Sequence, residues 1–235
     1  MAATNGAAEG VVLHTRADVK REHLDAFDHW QRTKHMPEAI AAPTCHRAAH
    51  FHTVRDGLPA AWHGSGNVAA NYFTADVDGI FEFLTSRELA EAVADGVLWF
   101  DRFNELDGAD YTGNIYEVVA SAGETTAAPD APFFAERFEV DSDQLDEFDG
   151  WLSGHLVGLA GADDVVRVRL MHAIREGSPL PYYYSPGNRA IFVELADARA
   201  VLGAQLTRAV TESRSWDLRL PYVKRDVYEC AFVVS

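Results

Sequence analysis

Apolar residues recur at spacing three in two widely separated stretches, Leu24, Phe27 and Trp30, and again Leu145, Phe148 and Trp151. That spacing makes one stripe along a helix, which must lie against another layer. Each stripe belongs to a longer phrase. Leu24-Asp25-Ala26-Phe27-Asp28-His29-Trp30 is answered by Leu145-Asp146-Glu147-Phe148-Asp149-Gly150-Trp151. A histidine follows each phrase, His35 and His155, so the offset is 121 residues at the tryptophans and 120 at the histidines. One residue has been deleted between the two landmarks.

The correspondence continues in order along the chain. His52-Thr53-Val54-Arg55-Asp56-Gly57 matches His172-Ala173-Ile174-Arg175-Glu176-Gly177, and Gly66-Asn67 matches Gly187-Asn188. Near the two ends, Ile115-Tyr116-Glu117-Val118 matches Val227-Tyr228-Glu229-Cys230. Each copy reads as strand, helix, strand, strand, helix, strand. Strand one covers Val11 to Arg16, or Phe133 to Val140; strand two about Cys45 to Val54, or Val165 to Ile174. Strand three lies near Val68 to Phe73, or Arg189 to Leu195. The second helical segment covers about Asp78 to Asp95, with Ser86 as an N-cap in its middle, or Arg199 to Ser213. The pattern therefore predicts an α+β protein: a first ferredoxin-like repeat over 1–120, a linker over 121–131, and a second repeat over 132–235. A four-stranded antiparallel sheet with both helices on one face leaves the other face bare. Two such sheets packed together bury both bare faces, and tandem fusion makes that an intramolecular event.

Composition narrows the function. Apolar residues make up 48 % of the chain and charged residues 24 %, ample for packed cores in a soluble protein. The net charge of −16 argues against partners such as nucleic acid or an anionic membrane surface. A small anionic substrate stays compatible, because a few local Arg and His residues reverse the field inside a pocket. The two cysteines, Cys45 and Cys230, do not make a disulfide framework. No leader-like N-terminus and no run of about 18 apolar residues is present, so the expected location is cytoplasmic and the first nine residues read as a loose tail.

At the first helix, Trp30-Gln31-Arg32-Thr33-Lys34-His35-Met36-Pro37-Glu38, followed by Ala42-Pro43, resembles the Trp…His-x-Pro signature of dimeric α+β barrel proteins of the EthD-like kind. The second copy keeps Trp151 and His155 but has Val157 where the proline would stand. The resemblance implies that one chain supplies both halves of a barrel normally built from two. Relatives of that kind include cofactor-independent enzymes that isomerise lactones, cyclise or decarboxylate polyketides, or oxygenate phenols. Fused relatives of the chlorite dismutase and dye-decolorising peroxidase types bind haem through the second half, which here would point to His172 or His155.

The two copies differ most along strand two. One face of the second copy presents Val166, Val168, Leu170 and His172, where the first presents His46, Ala48, His50 and His52. Burying an unpaired imidazole costs about 1–3 kcal/mol, so a copy kept for packing has no reason to accept it. The first copy is therefore expected to hold a polar pocket, and the second to be structural. His35, His50 and His52 are the expected acid–base residues, since imidazole titrates near neutrality. His46, Trp30, Trp62, His63, Asn71 and Tyr72 are expected to bind substrate. Arg47 and Arg167, shared by both copies, read as structural and barrel-facing, and Tyr182-Tyr183-Tyr184 as an interface patch. No metal is assigned, because no carboxylate or thiolate stands at a recognisable ligand spacing beside the histidines; a divalent metal or haem are the alternatives. No phosphate loop, G-x-G-x-x-G, G-x-S-x-G or H-E-x-x-H occurs. The expected function is a cofactor-independent enzyme of isomerase, lyase or cyclase type, acting on an unsaturated, oxygenated small molecule (an aromatic-catabolism intermediate, lactone or polyketide) by isomerisation, cyclisation, elimination, decarboxylation or ester hydrolysis. A haem protein or a non-catalytic stress-response module are the alternatives, and a homodimer or higher homo-oligomer is compatible with either.

Overall fold

The computed structural model describes residues 10–64, 66–92, 94, 112–124, 130–177 and 185–235. The expected N-terminal tail, residues 125–129 of the linker and Tyr182-Tyr183-Tyr184 lie outside the described residues. Eight strands form one closed antiparallel barrel: β1 (Val11–Ala17), β2 (Arg47–Val54), β3 (Val68–Thr74), β4 (Thr112–Gly123), β5 (Phe133–Glu139), β6 (Val165–Ala173), β7 (Arg189–Leu195) and β8 (Tyr222–Val234). The first repeat contributes β4-β1-β3-β2 and the second β8-β5-β7-β6. Closure comes from two joints between the repeats, β2 with β8 and β4 with β6, both antiparallel. β4 runs through Gly123, so residues 121–123, expected in the linker, belong to the strand.

Every strand has one face to the lumen and one to a layer of helices, which is why β1 is buried along its whole length. Outside the first repeat lie α1 (Leu24–Trp30), α2 (Met36–Ile40) and α3 (Val77–Thr85). Outside the second lie α4 (Leu145–Ala160) and α5 (Ala204–Ser213). Ser86 ends α3 and caps a further helical stretch over residues 87–92, its Oγ accepting from the Leu89 amide at 3.1 Å. Met36, Ile80, Phe83 and Leu84 pack on Leu13, Ala48 and Tyr72 in one outer core. Phe148, Leu152, Leu156 and Trp216 pack on Phe134, Phe138 and Val168 in the other.

An eight-stranded barrel is just wide enough for its side chains to fill it. Phe133 stacks on Phe192 and Tyr228 with centroids 4.9 and 4.7 Å apart, and Phe51 meets it edge-on at 4.9 Å. Polar residues flank this aromatic plug. Arg16 donates to Thr112 and Asn114, while Arg137, one repeat further on, forms a buried ion pair with Asp226. Gly64 lies so close that any Cβ there would overlap the Asp226 carboxylate. No helix among the described residues is long and apolar enough to cross a membrane.

Candidate active site

The missing residue between Trp151 and His155 has a structural counterpart. α4 is a regular helix, and residues four apart on it share a face, so Trp151 stacks on His155 at 4.7 Å. In the first repeat Trp30 and His35 are five apart, and the helix accommodates the extra residue as a π-turn over Gln31–His35. A π-turn closes one residue later than an α-turn, so Trp30 still stacks on His35, at 4.6 Å. Insertions of this kind are frequent at functional sites. Deleting Thr33, an exposed residue of the π-turn, is expected to restore a regular helix and leave the melting temperature within a few degrees of wild type. A loss of the folded signal by circular dichroism would show that the π-turn is required for the helix to dock.

The π-turn follows the helical turn that carries Asp28. Asp28 reaches the outer face of β2, where His50 and His52 stand two residues apart and point the same way. Asp28 Oδ1 lies 2.9 Å from His50 Nε2, and Oδ2 lies 2.8 Å from His52 Nε2. His50 is buried, whereas His52 and Asp28 keep an edge toward solvent, with side-chain exposures of 36 % and 22 %. Partial burial opposes the charge of Asp28, but the two imidazoles outweigh it and hold the carboxyl well below the usual carboxylate range. Burial pushes His50 toward the neutral form, partly opposed by Asp28. The ligating atoms of these three residues lie within 4.8 Å of one another, a spacing a divalent cation could bridge.

Beside the cluster, Thr15, Phe27, Gln31, His50 and Val68 border a small recess. Gln31 Oε1 and His50 Nδ1 are both buried, with no hydrogen-bond partner among the described residues. The same place in the second repeat is fully saturated. There Glu136, where the first repeat has Thr15, accepts from His155 at 3.1 Å, Ser213 at 2.7 Å and Arg225 at 2.8 Å. Arg225 also pairs with Asp217 at 2.8 Å. Asp149, the counterpart of Asp28, is held bidentately by Arg189 at 2.7 and 2.9 Å, and His172 stands 3.9 Å away. Leu170 replaces His50.

Several expected site residues lie elsewhere. His35 is separated from the cluster by a run of rings: His50 meets Phe27 at 5.8 Å, Phe27 meets Trp30 at 5.7 Å, and Trp30 stacks on His35. His35 Nδ1 lies 3.0 Å from the Ala92 carbonyl, and its ring meets Tyr72 edge-on at 6.4 Å. Trp30, His35 and Tyr72 thus form a wall on the far side of Phe27. His46 precedes β2 and is exposed. Trp62 is buried against Phe134 at 5.6 Å, in the second repeat's core, and exposed His63 lies 3.0 Å from the Arg55 carbonyl. Asn71 faces the lumen, 2.7 Å from His14. The reason is pleat parity: Asn71 and Tyr72 are adjacent on β3 and must face opposite sides. Of the two histidines a haem in the second half would call on, His155 is committed to Glu136 and Trp151. Arg47 does face the lumen, over the Phe73 ring.

Asp28 was missed by sequence reasoning, although a signal existed. It stands two residues before Trp30 in the repeated phrase, on the sheet side of the helix, beside a strand whose partner positions had turned polar. Gln31 and the Glu136 network left no comparable trace.

The architecture is that of the dimeric α+β barrel, with both halves in one chain. Solved structures with the same fold span nearly the whole chain. An anthrone oxidase-like protein aligns with a TM-score of 0.60 at 11 % identity, covering 100 % of this chain and 95 % of its own. A protein of Fusobacterium nucleatum subsp. nucleatum assigned as a monooxygenase gives 0.56 at 9 % identity, with coverages of 95 % and 94 %. A mutant chlorite dismutase from Candidatus Nitrospira defluvii gives 0.52 at 8 % identity, with coverages of 96 % and 92 %. At such identities the likeness concerns fold alone. No protein-family model matches the chain, and no curated protein matches it in sequence.

Proposed function

We propose that the chain is a small-molecule enzyme whose reaction centre is the Asp28–His50–His52 cluster of the first repeat. It draws a proton from a phenolic or enolisable substrate, and dioxygen oxidises the resulting anion. The observation that carries this reading is the contrast between the repeats. One has an open, Asp-anchored imidazole pair beside a recess with unsatisfied polar atoms; the other fills the equivalent space with a closed network. Carboxylate-oriented imidazoles at a solvent edge suit proton transfer. Oxidation is preferred to isomerisation or elimination because the fold neighbours carry oxidase and monooxygenase names.

Anthrone serves as the first probe, with bicyclic phenols and enol lactones beside it. Its ring methylene would become a carbonyl, one atom of O2 entering the product and the other leaving as water. Oxygen uptake is expected with wild type and with His172→Gln, and a loss of about 100-fold or more is expected with His52→Gln. Solvent deuterium entering the substrate carbon without oxygen uptake would keep the deprotonation and replace oxidation by isomerisation. Neither uptake nor exchange with any of these probes would sink the reading.

A further inference from the structure

We infer that Asp28, His50 and His52 are the protein ligands of a divalent first-row transition cation, an inference that takes from the proposed function only the location of the centre. Three features of the geometry point there. Both imidazoles aim their Nε2 atoms, rather than a ring edge, at one carboxylate, and all three ligating atoms fall within 4.8 Å of one another. Two nitrogens and one oxygen on one side, with solvent on the other, is the arrangement of a site that keeps positions open for substrate. Two imidazoles among three ligands select Zn²⁺, Co²⁺ or Fe²⁺ over the harder Mg²⁺ and Ca²⁺.

The recess supplies the second observation. Without an ion, each imidazole donates Nε2–H to Asp28, which leaves His50 Nδ1 as an acceptor. It then shares the recess with another acceptor, Gln31 Oε1, and both atoms are buried and unpartnered. An ion on Nε2 inverts the tautomer. Nδ1 then carries the proton, and Gln31 Oε1, buried on the border of the same recess, is an acceptor it would reach through one water or a rotation of the amide. A ligand histidine whose other nitrogen is held by a buried acceptor is the usual outer arrangement of such centres. The π-turn begins at Gln31, and the second repeat has Leu152 after its tryptophan. So Gln31 and His50 are both peculiar to the first repeat. An ion on both Nε2 atoms would leave the imidazoles no lone pair for a proton, so a hydroxide held at the ion's open position would be the base in their place.

The test uses untagged full-length protein freed of metal by chelator dialysis and then titrated with Co²⁺. One equivalent is expected to bind, with visible d–d absorption. Gln31→Leu, which installs the second repeat's residue, is expected to weaken binding about 10–100-fold, and His52→Ala to weaken it more. His172→Ala is expected to bind like wild type. No uptake by wild type, or uptake unchanged in His52→Ala, overturns the inference. If wild type takes up no cobalt while His52→Gln still loses turnover, the metal falls and proton transfer by the imidazoles stands. If cobalt uptake is lost in His52→Ala but turnover is kept, the metal stands and the proposed reaction centre falls.

Discussion

Replacing Glu136 by alanine is expected to lower the unfolding free energy by about 3–5 kcal/mol, because it leaves Arg225 buried opposite a void. Glu136 is fully enclosed and accepts three hydrogen bonds, one each from His155, Ser213 and Arg225. Removing it takes one of two carboxylate partners from a guanidinium that is 4 % exposed, leaving only Asp217, and strips His155 and Ser213 of their acceptor. For a chain of this size the melting temperature should fall by roughly 6–20 °C. The pH dependence has a definite sign. Burial alone would raise the Glu136 pKa, but His155, Arg225 and Ser213 outweigh it and hold it below the ordinary value. A carboxyl depressed on folding stabilises fully above its unfolded pKa, about 4.3, and loses that contribution as pH falls through the lower, folded value. Wild type and Glu136→Ala should therefore differ most near neutrality and converge only below about pH 4. Converting Glu136→Thr together with Arg225→Gly reproduces the first repeat's Thr15 and Gly113. That double variant should be less destabilised than the sum of its singles, since neither member of the Glu136–Arg225 pair is left buried without the other. A Glu136→Ala protein that loses under 1 kcal/mol in urea unfolding would refute the role given to the network.

The second large effect concerns turnover. Asp28→Asn keeps the shape of the side chain but removes the charge that orients two imidazoles, and turnover of whichever probe is accepted should fall about 10²–10⁴-fold. Some stability should be lost as well, because a carboxyl held below its ordinary pKa by two imidazoles stabilises the fold at neutral pH. Asp149→Asn is the mirror experiment. It breaks the bidentate contact with Arg189 and should cost about 1 kcal/mol while leaving turnover intact. If both variants behaved alike, the division of labour between the repeats would be wrong.

The doubled architecture was legible because the copies repeat helix stripes, hairpin turns and closing strands in the same order. Even the single-residue difference between Trp30–His35 and Trp151–His155 carried information, since a helix can absorb an extra residue only by opening one turn. Which side of the sheet a residue faces was legible within one strand. Hence His50 and His52 were correctly placed together. Parity across strands was not, so Asn71 was grouped with residues on the opposite face, and Trp62 was assigned to the repeat that bears it rather than the one it packs against. Asp28 required knowing that helix and strand meet at that point. Nothing in the sequence sets His14, Arg16, Arg137 and Asp226 apart, because it is closure of the barrel that turns them inward.

Closure itself has a consequence for the fate of the protein in solution. A sheet that ends in an unpaired strand offers a template on which another molecule can add, whereas here every border strand is already taken by the sister half. Among the described strands, fibril growth from the native state finds no unpaired row of amides. It must wait for one of the two joints, β2–β8 or β4–β6, to unzip, so the rate of that opening, rather than protein concentration alone, would set the onset of aggregation.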